Sequence, residues 1–196
     1  MEIRFDEQVA IVTGAGRGLG RAHAIAMASK GAKVVVNDFS GSQEISENAN
    51  SVVEEIISAG GEAIANGANV ANFDQVQSMV NETLDKWGRV DILVNNAGIL
   101  RDKTFLKMSV EDMREVIDVH LIGSLNCSKA VWETMREQNY GRIVLTSSSS
   151  GLYGNFGQTN YGAAKMAMLG IMNTLHLEGM KYNIKVNCLA PTAGTA

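Results

Sequence analysis

The chain has 196 residues, of which 45% are hydrophobic and 19% are charged, and its formal net charge is −4. This balance excludes both the basic surface of a nucleic-acid-binding protein and the low hydrophobicity of a disordered chain, so we expect small molecules or further copies of the chain as partners. The two cysteines, Cys127 and Cys188, lack metal-ligand spacing, which predicts neither a disulfide framework nor a metal site.

Six short apolar runs recur along the chain: QVAIVTG, AKVVVND, EAIAN, VDILVNN, RIVLTSS and IKVNCLA. Each is typical of a strand that is buried on both faces. Between them, apolar residues follow helical spacing at 18–30, 43–59, 72–87, 109–137 and 160–182. Strands that alternate with helices indicate a parallel sheet covered by helices on both faces. We therefore predict a doubly wound α/β fold of Rossmann type, strand order 3-2-1-4-5-6, with residues 1–196 as a single domain.

The chain shows no membrane or secretion signal. No apolar run approaches the roughly 18 residues that a membrane span requires. The first residues, MEIRFDEQV, are partly acidic and lack the apolar core of a signal peptide. We therefore expect a soluble, cytoplasmic protein with no membrane partner.

A glycine-rich turn, TGAGRGLG, follows the first predicted strand and places Gly14, Gly16, Gly18 and Gly20 before a helix. The spacing departs from the strict dinucleotide fingerprint, because Leu19 stands where its third glycine would be. Glycines still permit a tight turn and close backbone approach, and a helix N-terminus offers unpaired N–H groups to a pyrophosphate. We predict that the phosphates of a dinucleotide bind here, with a plain strand-to-helix connection as the alternative.

Asp38 ends the second predicted strand about 20 residues beyond the glycines, where a carboxylate accepts hydrogen bonds from the adenosine ribose. Arg17, inside the glycine turn, could instead pair with a 2′-phosphate and so favours NADP. At close range Asp38 should repel that phosphate more strongly than one solvent-facing arginine attracts it. The sequence therefore predicts NAD as the cofactor, with helix capping as the alternative role for Asp38.

Three motifs follow one another in order: TGAGRGLG, the NNAG of residues 95–98 and the YGAAK of residues 161–165. With them the chain resembles the short-chain dehydrogenase/reductase family over essentially its whole length. The stretches VVVND, NNAGILRDKTF, VHLIGS and GLYGNFGQTNYGAAK more narrowly resemble the (3R)-hydroxyacyl-CoA dehydrogenase part of the type 2 peroxisomal multifunctional enzymes and their bacterial relatives. NAGILRD is also similar to acyl-carrier-protein 3-oxoacyl reductases.

The resemblance implies an enzyme of fatty acid metabolism that moves hydride between NAD and a (3R)-3-hydroxyacyl-CoA or its 3-oxo form. It also implies a homodimer or homotetramer, and a peroxisomal location if the source is eukaryotic. Further cofactor contacts implied by the resemblance come from the ends of the third, fourth and sixth strands, at Asn69, Val70, Asn95, Ala97, Gly98, Pro191 and Thr192. Asn69 replaces the aspartate that usually touches adenine in the family.

Tyr161 and Lys165 are four residues apart in a predicted helix, so their side chains share one face. A phenol is a poor base unless positive charge stabilises its phenolate, and Lys165 and an oxidised nicotinamide would supply that charge. The resemblance makes Tyr161 the proton acceptor, gives Lys165 a ribose hydroxyl as well, and assigns Ser148 to orient the reacting oxygen. A chance pairing on a helix, beside an ordinary serine-rich loop, is the alternative interpretation.

The chain departs from the family pattern in its VHLIGS stretch and at its end. His120 stands where the family usually has an asparagine that completes the catalytic set through a bound water. His120 could donate to that water and would then titrate at about pH 6.5. Alternatively, it could be packed in the interior with its nitrogens satisfied by backbone groups. Relatives continue past the position of Ala196 through a substrate-covering segment and a seventh strand, so we expect a chain that lacks both.

Three functions are compatible with these motifs. The first is an NAD-dependent 3-hydroxyacyl-thioester dehydrogenase, which Asp38 favours. The second is a carbonyl reductase of the same family, including an NADPH-dependent 3-oxoacyl-thioester reductase. The third is an NAD-binding sensor or scaffold without turnover, because a chain can lose catalytic activity while its fold stays intact. The presence of Ser148, Tyr161 and Lys165 together favours an enzyme.

Overall fold

The computed structural model describes residues 3–42 and 44–192, which form an α/β structure around one parallel sheet. Its strands lie in the order β3-β2-β1-β4-β5-β6, and every neighbouring pair is parallel. In chain order they are β1 (Val9–Thr13), β2 (Lys33–Asn37), β3 (Glu62–Asn66), β4 (Ile92–Asn95), β5 (Gly141–Thr146) and β6 (Ile184–Leu189). The predicted fold class and strand order are confirmed.

Helices connect the successive strands: α1 (Gly18–Ala28), α2 (Glu47–Ser58), α3 (Phe73–Trp87), α4 (Val110–Ile117), α5 (Gly123–Glu137), α6 (Ser149–Tyr153) and α7 (Thr159–Gly179). The helix predicted at 109–137 is interrupted by a π-helical segment, Asp118–Ile122, and the short α6 was not predicted. Among the described residues, no helix combines the length and the apolar character needed to cross a membrane.

Two apolar cores lie on opposite faces of the sheet, because successive side chains of a strand point to opposite sides. On one face, Ile11 and Leu93 belong to a cluster with residues of α3, α5 and α7. On the other, Val12 and Val34 belong to a cluster with residues of α1 and α2. The helices thereby fix the sheet from both sides.

The two outer strands are less covered than the sequence predicted. In β6, Ile184 and Val186 are buried while Lys185 and Asn187 are exposed, and β3 begins with an exposed Glu62. The expectation that all six runs are buried on both faces is therefore wrong for these strands. For β6 the reason is coverage: within residues 3–42 and 44–192, the cluster that contains α1 and α2 includes no residue of β6.

A cavity of about 670 Å³ opens at the carboxyl ends of the strands. The chain leaves β1 toward β2 on one side and enters β4 on the other, so the strand order reverses between β1 and β4. Loops that diverge at such a point leave a crevice, which is where doubly wound sheets bind ligands.

Candidate active site

Most of the side chains that the sequence predicted for the site lie on the wall of this cavity. They are Gly14, Arg17, Gly18, Leu19, Asp38, Asn69, Val70, Ala97, Gly98, His120, Tyr161 and Lys165. The others, which are absent from the wall, are Gly16, Gly20, Asn95, Ser148, Pro191 and Thr192. Pro191 is half-buried and Thr192 exposed after β6, and residues 193–196 lie outside the described part of the chain.

The glycine turn combines positive φ angles with close contacts that leave no room for a side chain at Gly14 or Gly20. Gly14 and Gly18 have φ angles of 60° and 55°, a region that favours glycine. A Cβ at Gly14 would lie 2.8 Å from the Cα of Ala97, and one at Gly20 would overlap the Gly14 carbonyl. The N-cap of α1, Arg17, makes no side-chain capping bond. The first N–H groups of α1 therefore have no side-chain partner at the helix start, as an anion site requires.

Thr13 and Asn96 hold the end of β4 against the glycine turn. The Thr13 hydroxyl accepts hydrogen bonds from the backbone nitrogens of Asn96 and Ala97, each at 3.0 Å. The Asn96 amide donates to the carbonyls of Thr13 and Gly14 at 2.9 and 3.0 Å. Asn96 also lines the cavity. Its two donor bonds make the relative position of turn and strand rigid.

Sequence reasoning missed Thr13 and Asn96 and named Asn95 instead. Asn95 is 5% exposed and donates to Ser128 Oγ at 3.3 Å, on the α5 side of the sheet. Successive strand residues point to opposite sides, so only one of the two asparagines can face the cavity. The sequence did offer a signal, which is Thr13 directly before the glycine turn. A hydroxyl at that position can accept hydrogen bonds from the backbone that follows the neighbouring strand.

Asp38 is linked to the cap of α2 but is not itself the cap, and it lies on the cavity wall. Its carboxylate accepts a hydrogen bond from Ser46 Oγ at 2.7 Å, and Ser46 is the N-cap of α2. The carboxylate also lies against the glycine turn, since a Cβ at Gly16 would overlap Asp38 Oδ2. Asp38 is half-buried and lines the cavity. The cap thus fixes the carboxylate at the cavity wall.

The loop after β3 forms the far end of the cavity. The Asn69 side chain accepts from the backbone nitrogen of Ala71 at 2.9 Å, and its own backbone nitrogen donates to Gln75 Oε1 at 2.9 Å. The Val70 carbonyl accepts from Asn126 Nδ2 at 2.9 Å. These bonds fix the loop and leave the Asn69 amide N–H groups for a ligand.

Tyr161 and Lys165 occupy the other end, on the first two turns of α7. Lys165 Nζ lies 5.5 Å from the centroid of the Tyr161 ring and donates to the Thr146 carbonyl at 2.6 Å. Lys165 is only 4% exposed, and this burial lowers its pKa to about 8. The Thr146 hydroxyl, also on the cavity wall, is buried without a partner among the described residues. The amine and the phenol therefore face one cavity, as the helical spacing predicted.

His120 lies in the π-helical segment, 3% exposed, with its ring edge-to-face against Tyr161 at a centroid distance of 5.2 Å. Its Nε2 is 2.8 Å from the Ile99 carbonyl and 3.1 Å from the Ile99 nitrogen. The ring also fills the space beside Gly98, where a Cβ would overlap it. One ring nitrogen, Nε2, is therefore satisfied by backbone groups, as in the packed alternative that the sequence left open.

The expectation that His120 titrates near pH 6.5 needs correction. Burial, followed by the nearby charge of Lys165, lowers the pKa of His120 to about 4. The ring is thus neutral at physiological pH, and Nε2–H donates to the Ile99 carbonyl, the shorter of the two contacts. Nδ1 is then a buried acceptor with no partner among the described residues.

Ser148 is the N-cap of α6, and its hydroxyl accepts from the backbone nitrogen of Ser150 at 3.2 Å. It is half-buried and lies two residues beyond Thr146, the last residue of β5. Its neighbour Ser147 points into the protein and donates to the Lys165 carbonyl at 2.7 Å. The serine run therefore ties the end of β5 to α7.

The sequence model of the short chain dehydrogenase family matches residues 8–195. The chain belongs to the short-chain dehydrogenase/reductase family. Peroxisomal multifunctional enzyme type 2 of Mus musculus is 52% identical over 200 residues, which cover 98% of this chain and 26% of the mouse enzyme. A 3-oxoacyl-(acyl-carrier-protein) reductase of Synechocystis is 50% identical over 184 residues, 94% of this chain and 73% of the reductase. The chain thus spans about a quarter of the multifunctional relative.

Two solved structures have the same fold. A short chain dehydrogenase from Mycobacterium avium superposes with a TM-score of 0.91 at 42% identity, over 96% of this chain and 68% of that one. A 7α-hydroxysteroid dehydrogenase complexed with NADH and 7-oxo glycochenodeoxycholic acid has a TM-score of 0.89 at 33% identity, over 96% and 71%. Membership of the short-chain dehydrogenase/reductase family supports an oxidoreductase that acts on CH–OH groups with a nicotinamide cofactor.

The cavity of this family member fits such a cofactor on its own residues. The uncapped start of α1 suits a pyrophosphate, and the fixed Asp38 carboxylate suits ribose hydroxyls. At the other end, the buried, unpartnered oxygen of Thr146 and nitrogen of His120 are polar groups on the wall that a bound ligand or water would satisfy.

Proposed function

We propose that this chain oxidises (3R)-3-hydroxyacyl-CoA thioesters to their 3-oxo forms with NAD, and catalyses the reverse reduction. The observation that carries the chemistry is the Tyr161 and Lys165 pair on one cavity wall, with Lys165 Nζ 5.5 Å from the phenol ring. A buried ammonium beside a phenol favours the phenolate, the form that accepts a proton. The cofactor and the substrate class rest on separate observations.

Asp38 supports NAD as the cofactor. Its carboxylate is held at the wall by Ser46 and by close packing against Gly16, so it cannot swing away from a nucleotide ribose. A 2′-phosphate would bring a second negative charge to the same place, and like charges repel strongly where water is partly excluded. Arg17 also lines the cavity but is exposed, where solvent weakens its attraction.

Two loops beside the cavity support an apolar substrate. Residues 96–109 connect β4 to α4, and residues 154–158 connect α6 to α7. These loops and the end of α6 expose large side chains: Phe105 is 67%, Leu106 94%, Tyr153 85% and Phe156 88% exposed. A backbone bond from Lys103 to the Gly157 carbonyl, 2.9 Å long, joins the two loops. Exposed apolar side chains on loops that are joined in this way support a binding surface, and an acyl chain suits it.

Each side chain then has a defined task in the oxidation. The nicotinamide supplies the hydride acceptor for the substrate C3 hydrogen. The Tyr161 phenolate takes the hydroxyl proton. The resemblance to the family assigns the Ser148 hydroxyl a hydrogen bond to the same oxygen, although Ser148 is absent from the cavity wall in this structure. Lys165 stabilises the phenolate and donates to a ribose hydroxyl of the cofactor. Asp38 accepts from the adenosine ribose, and the start of α1 binds the pyrophosphate.

A second candidate is an NADPH-dependent 3-oxoacyl-thioester reductase. The reductase relative at 50% identity favours it, as does Arg17 on the cavity wall. Both candidates use Tyr161 and Lys165 in the same way, so the cofactor and the thioester carrier separate them. Assembly as a homodimer or homotetramer stays a prediction.

The test is NAD reduction measured by absorbance with (3R)- and (3S)-3-hydroxyacyl-CoA of short, medium and long chains. We expect turnover of the (3R) form with NAD and little with NADP. Tyr161→Phe should lower kcat by about 100-fold or more while NADH binding is kept. Tyr140→Phe is the matched control, because Tyr140 directly precedes β5, at the strand end opposite the cavity, and is absent from the cavity wall. No turnover at any chain length, with either enantiomer, would refute the proposal.

A further inference from the structure

The first turn of α7 is capped from within rather than by its N-cap residue. Gln158, the N-cap, makes no side-chain capping bond, and its amide donates instead to Asp102 Oδ2 at 2.7 Å. The backbone nitrogen of Tyr161 is one of the unpaired N–H groups that every helix start leaves. Asn160 satisfies it, because Asn160 Oδ1 accepts from that nitrogen at 2.8 Å. The residue before Tyr161 therefore fixes the backbone of Tyr161 itself.

The other end of the same side chain joins two further elements. Asn160 Nδ2 lies 3.3 Å from the Arg101 carbonyl, in the loop after β4, and 3.3 Å from the Asp112 carbonyl, in α4. Asn160 is only 3% exposed, so its amide has no access to bulk water. A buried amide that lost these partners would incur the full cost of desolvation. The side chain therefore links α4, the β4 to α4 loop and the first turn of α7.

This linkage lies directly beside the reacting groups. Arg101, whose carbonyl accepts from Asn160, lines the cavity and pairs with Glu115 at 2.8 Å. The Tyr161 ring lies between Lys165 on its own helix and the neutral His120 on the π-helical segment. A shift of the first turn of α7 would move the phenol relative to both. Misplacement of about 1 Å at a reacting group lowers turnover by up to roughly 100-fold.

We propose that Asn160 is a positioning residue, which sets the Tyr161 hydroxyl against Lys165 by tying the first turn of α7 to the β4 to α4 loop. The inference rests on the proposed function, since Tyr161 is the proton acceptor there. The loop it anchors also carries the exposed Phe105 and Leu106. Asn160 thereby couples the surface proposed for the acyl chain to the group that accepts the proton.

Two substitutions separate capping from tethering. Asn160→Ala removes both, whereas Asn160→Asp keeps an acceptor for the Tyr161 nitrogen and places a second oxygen opposite the Arg101 and Asp112 carbonyls. If the tether positions Tyr161, both variants are impaired. If capping alone matters, Asn160→Asp behaves as wild type, and the tether is refuted. Asn81→Ala is the control, since Asn81 is exposed on α3, away from the cavity wall and from both loops.

The readouts are kcat, its pH profile and the affinity for NADH measured by fluorescence. We expect both Asn160 variants to lose about 10- to 100-fold in kcat and to move the acid limb of kcat to higher pH, because Lys165 stabilises a displaced phenolate less well. NADH affinity should change by less than about threefold, since Asn160 is not on the cavity wall. Wild-type kcat and an unmoved acid limb in Asn160→Ala would overturn the inference, whatever the melting temperature.

A second readout does not need turnover. The tyrosinate absorbance of the NAD-bound chain is titrated with pH, and the Tyr161→Phe signal is subtracted to isolate one phenol. The isolated phenol should titrate at higher pH in both Asn160 variants than in wild type, and at the wild-type pH in Asn81→Ala. Coincident curves in all proteins would refute the positioning role. Failure of wild type to oxidise any thioester would instead refute the proposed function, and this titration would still decide the role of Asn160.

Discussion

The buried ammonium of Lys165 makes stability depend on pH in a way that one substitution can isolate. Burial lowers the pKa of Lys165 from 10.5 to about 8 in the folded chain. The unfolded chain therefore holds more protons between these values, and stability rises with pH there. The shift means that the unfolding free energy below pH 8 is about 3 kcal/mol lower than it is above pH 10.5. Between about pH 7 and about pH 9.5, roughly 2 kcal/mol of it is recovered.

Lys165→Met removes this titration and keeps a side chain of similar length. At neutral pH we expect the variant to be about as stable as wild type, because relief of the buried charge offsets loss of the 2.6 Å bond to the Thr146 carbonyl. The unfolding free energy of wild type, relative to that of Lys165→Met, should be roughly 2 kcal/mol higher at about pH 9.5 than at pH 7. Activity should be lost throughout, since the phenolate loses its stabilising charge.

The measurement is urea unfolding of the cofactor-free chain, followed by fluorescence of Trp87 and Trp132 at several pH values. Other groups also titrate in this range, so the quantity compared is the difference between wild type and variant at each pH. Lys129→Met is the control, because Lys129 is exposed on α5 and should show no such trend. A difference between wild type and Lys165→Met that stays constant with pH would refute desolvation of Lys165.

Three further substitutions test the wall of the cavity. His120→Asn should keep kcat within about tenfold and leave its pH profile unchanged, because the pKa of His120 is already lowered to about 4; a wild-type inflection near about pH 6.5 that vanishes in the variant would contradict this. Asp38→Ser should lower the preference of kcat/KM for NAD over NADP by about 10-fold. An unchanged ratio would show that Asp38 does not set the cofactor preference and serves only to hold the cap of α2. Gly98→Ala should lower the unfolding free energy by about 1–3 kcal/mol and displace the His120 ring, and wild-type stability would show that the ring moves freely.

Local patterns explain why the strands and the glycine turn could be predicted. A run such as KVVVN is buried wherever it lies in the middle of the sheet, and β2 is confirmed there with four of its five residues buried. The turn at Gly14 to Gly20 needs only backbone freedom, which glycine provides in any context. The spacing of Tyr161 and Lys165 likewise fixes their common face once α7 forms. None of these inferences depends on distant residues.

Features set by distant contacts could not be read in this way. Residues 109–137 have helical spacing throughout, yet the segment Asp118–Ile122 is π-helical. His120 in that segment bonds to Ile99, which lies in the loop after β4 and is far away in sequence. The low pKa of His120 arises from the same burial. From the sequence alone, a histidine is expected to have its ordinary pKa, and an apolar pattern with helical spacing is expected to form a regular α-helix.

The electrostatics of the cavity explain why a histidine can stand where the family usually has an asparagine. Lys165 is the ammonium nearest the Tyr161 ring, and an oxidised nicotinamide would add a second positive charge close by. A protonated His120 would add a third in a space that is almost closed to water, and burial together with Lys165 prevents that protonation. What the position requires is a neutral donor to the Ile99 carbonyl that also packs beside Tyr161. A neutral imidazole and a carboxamide both meet that requirement, whereas a lysine or arginine would not.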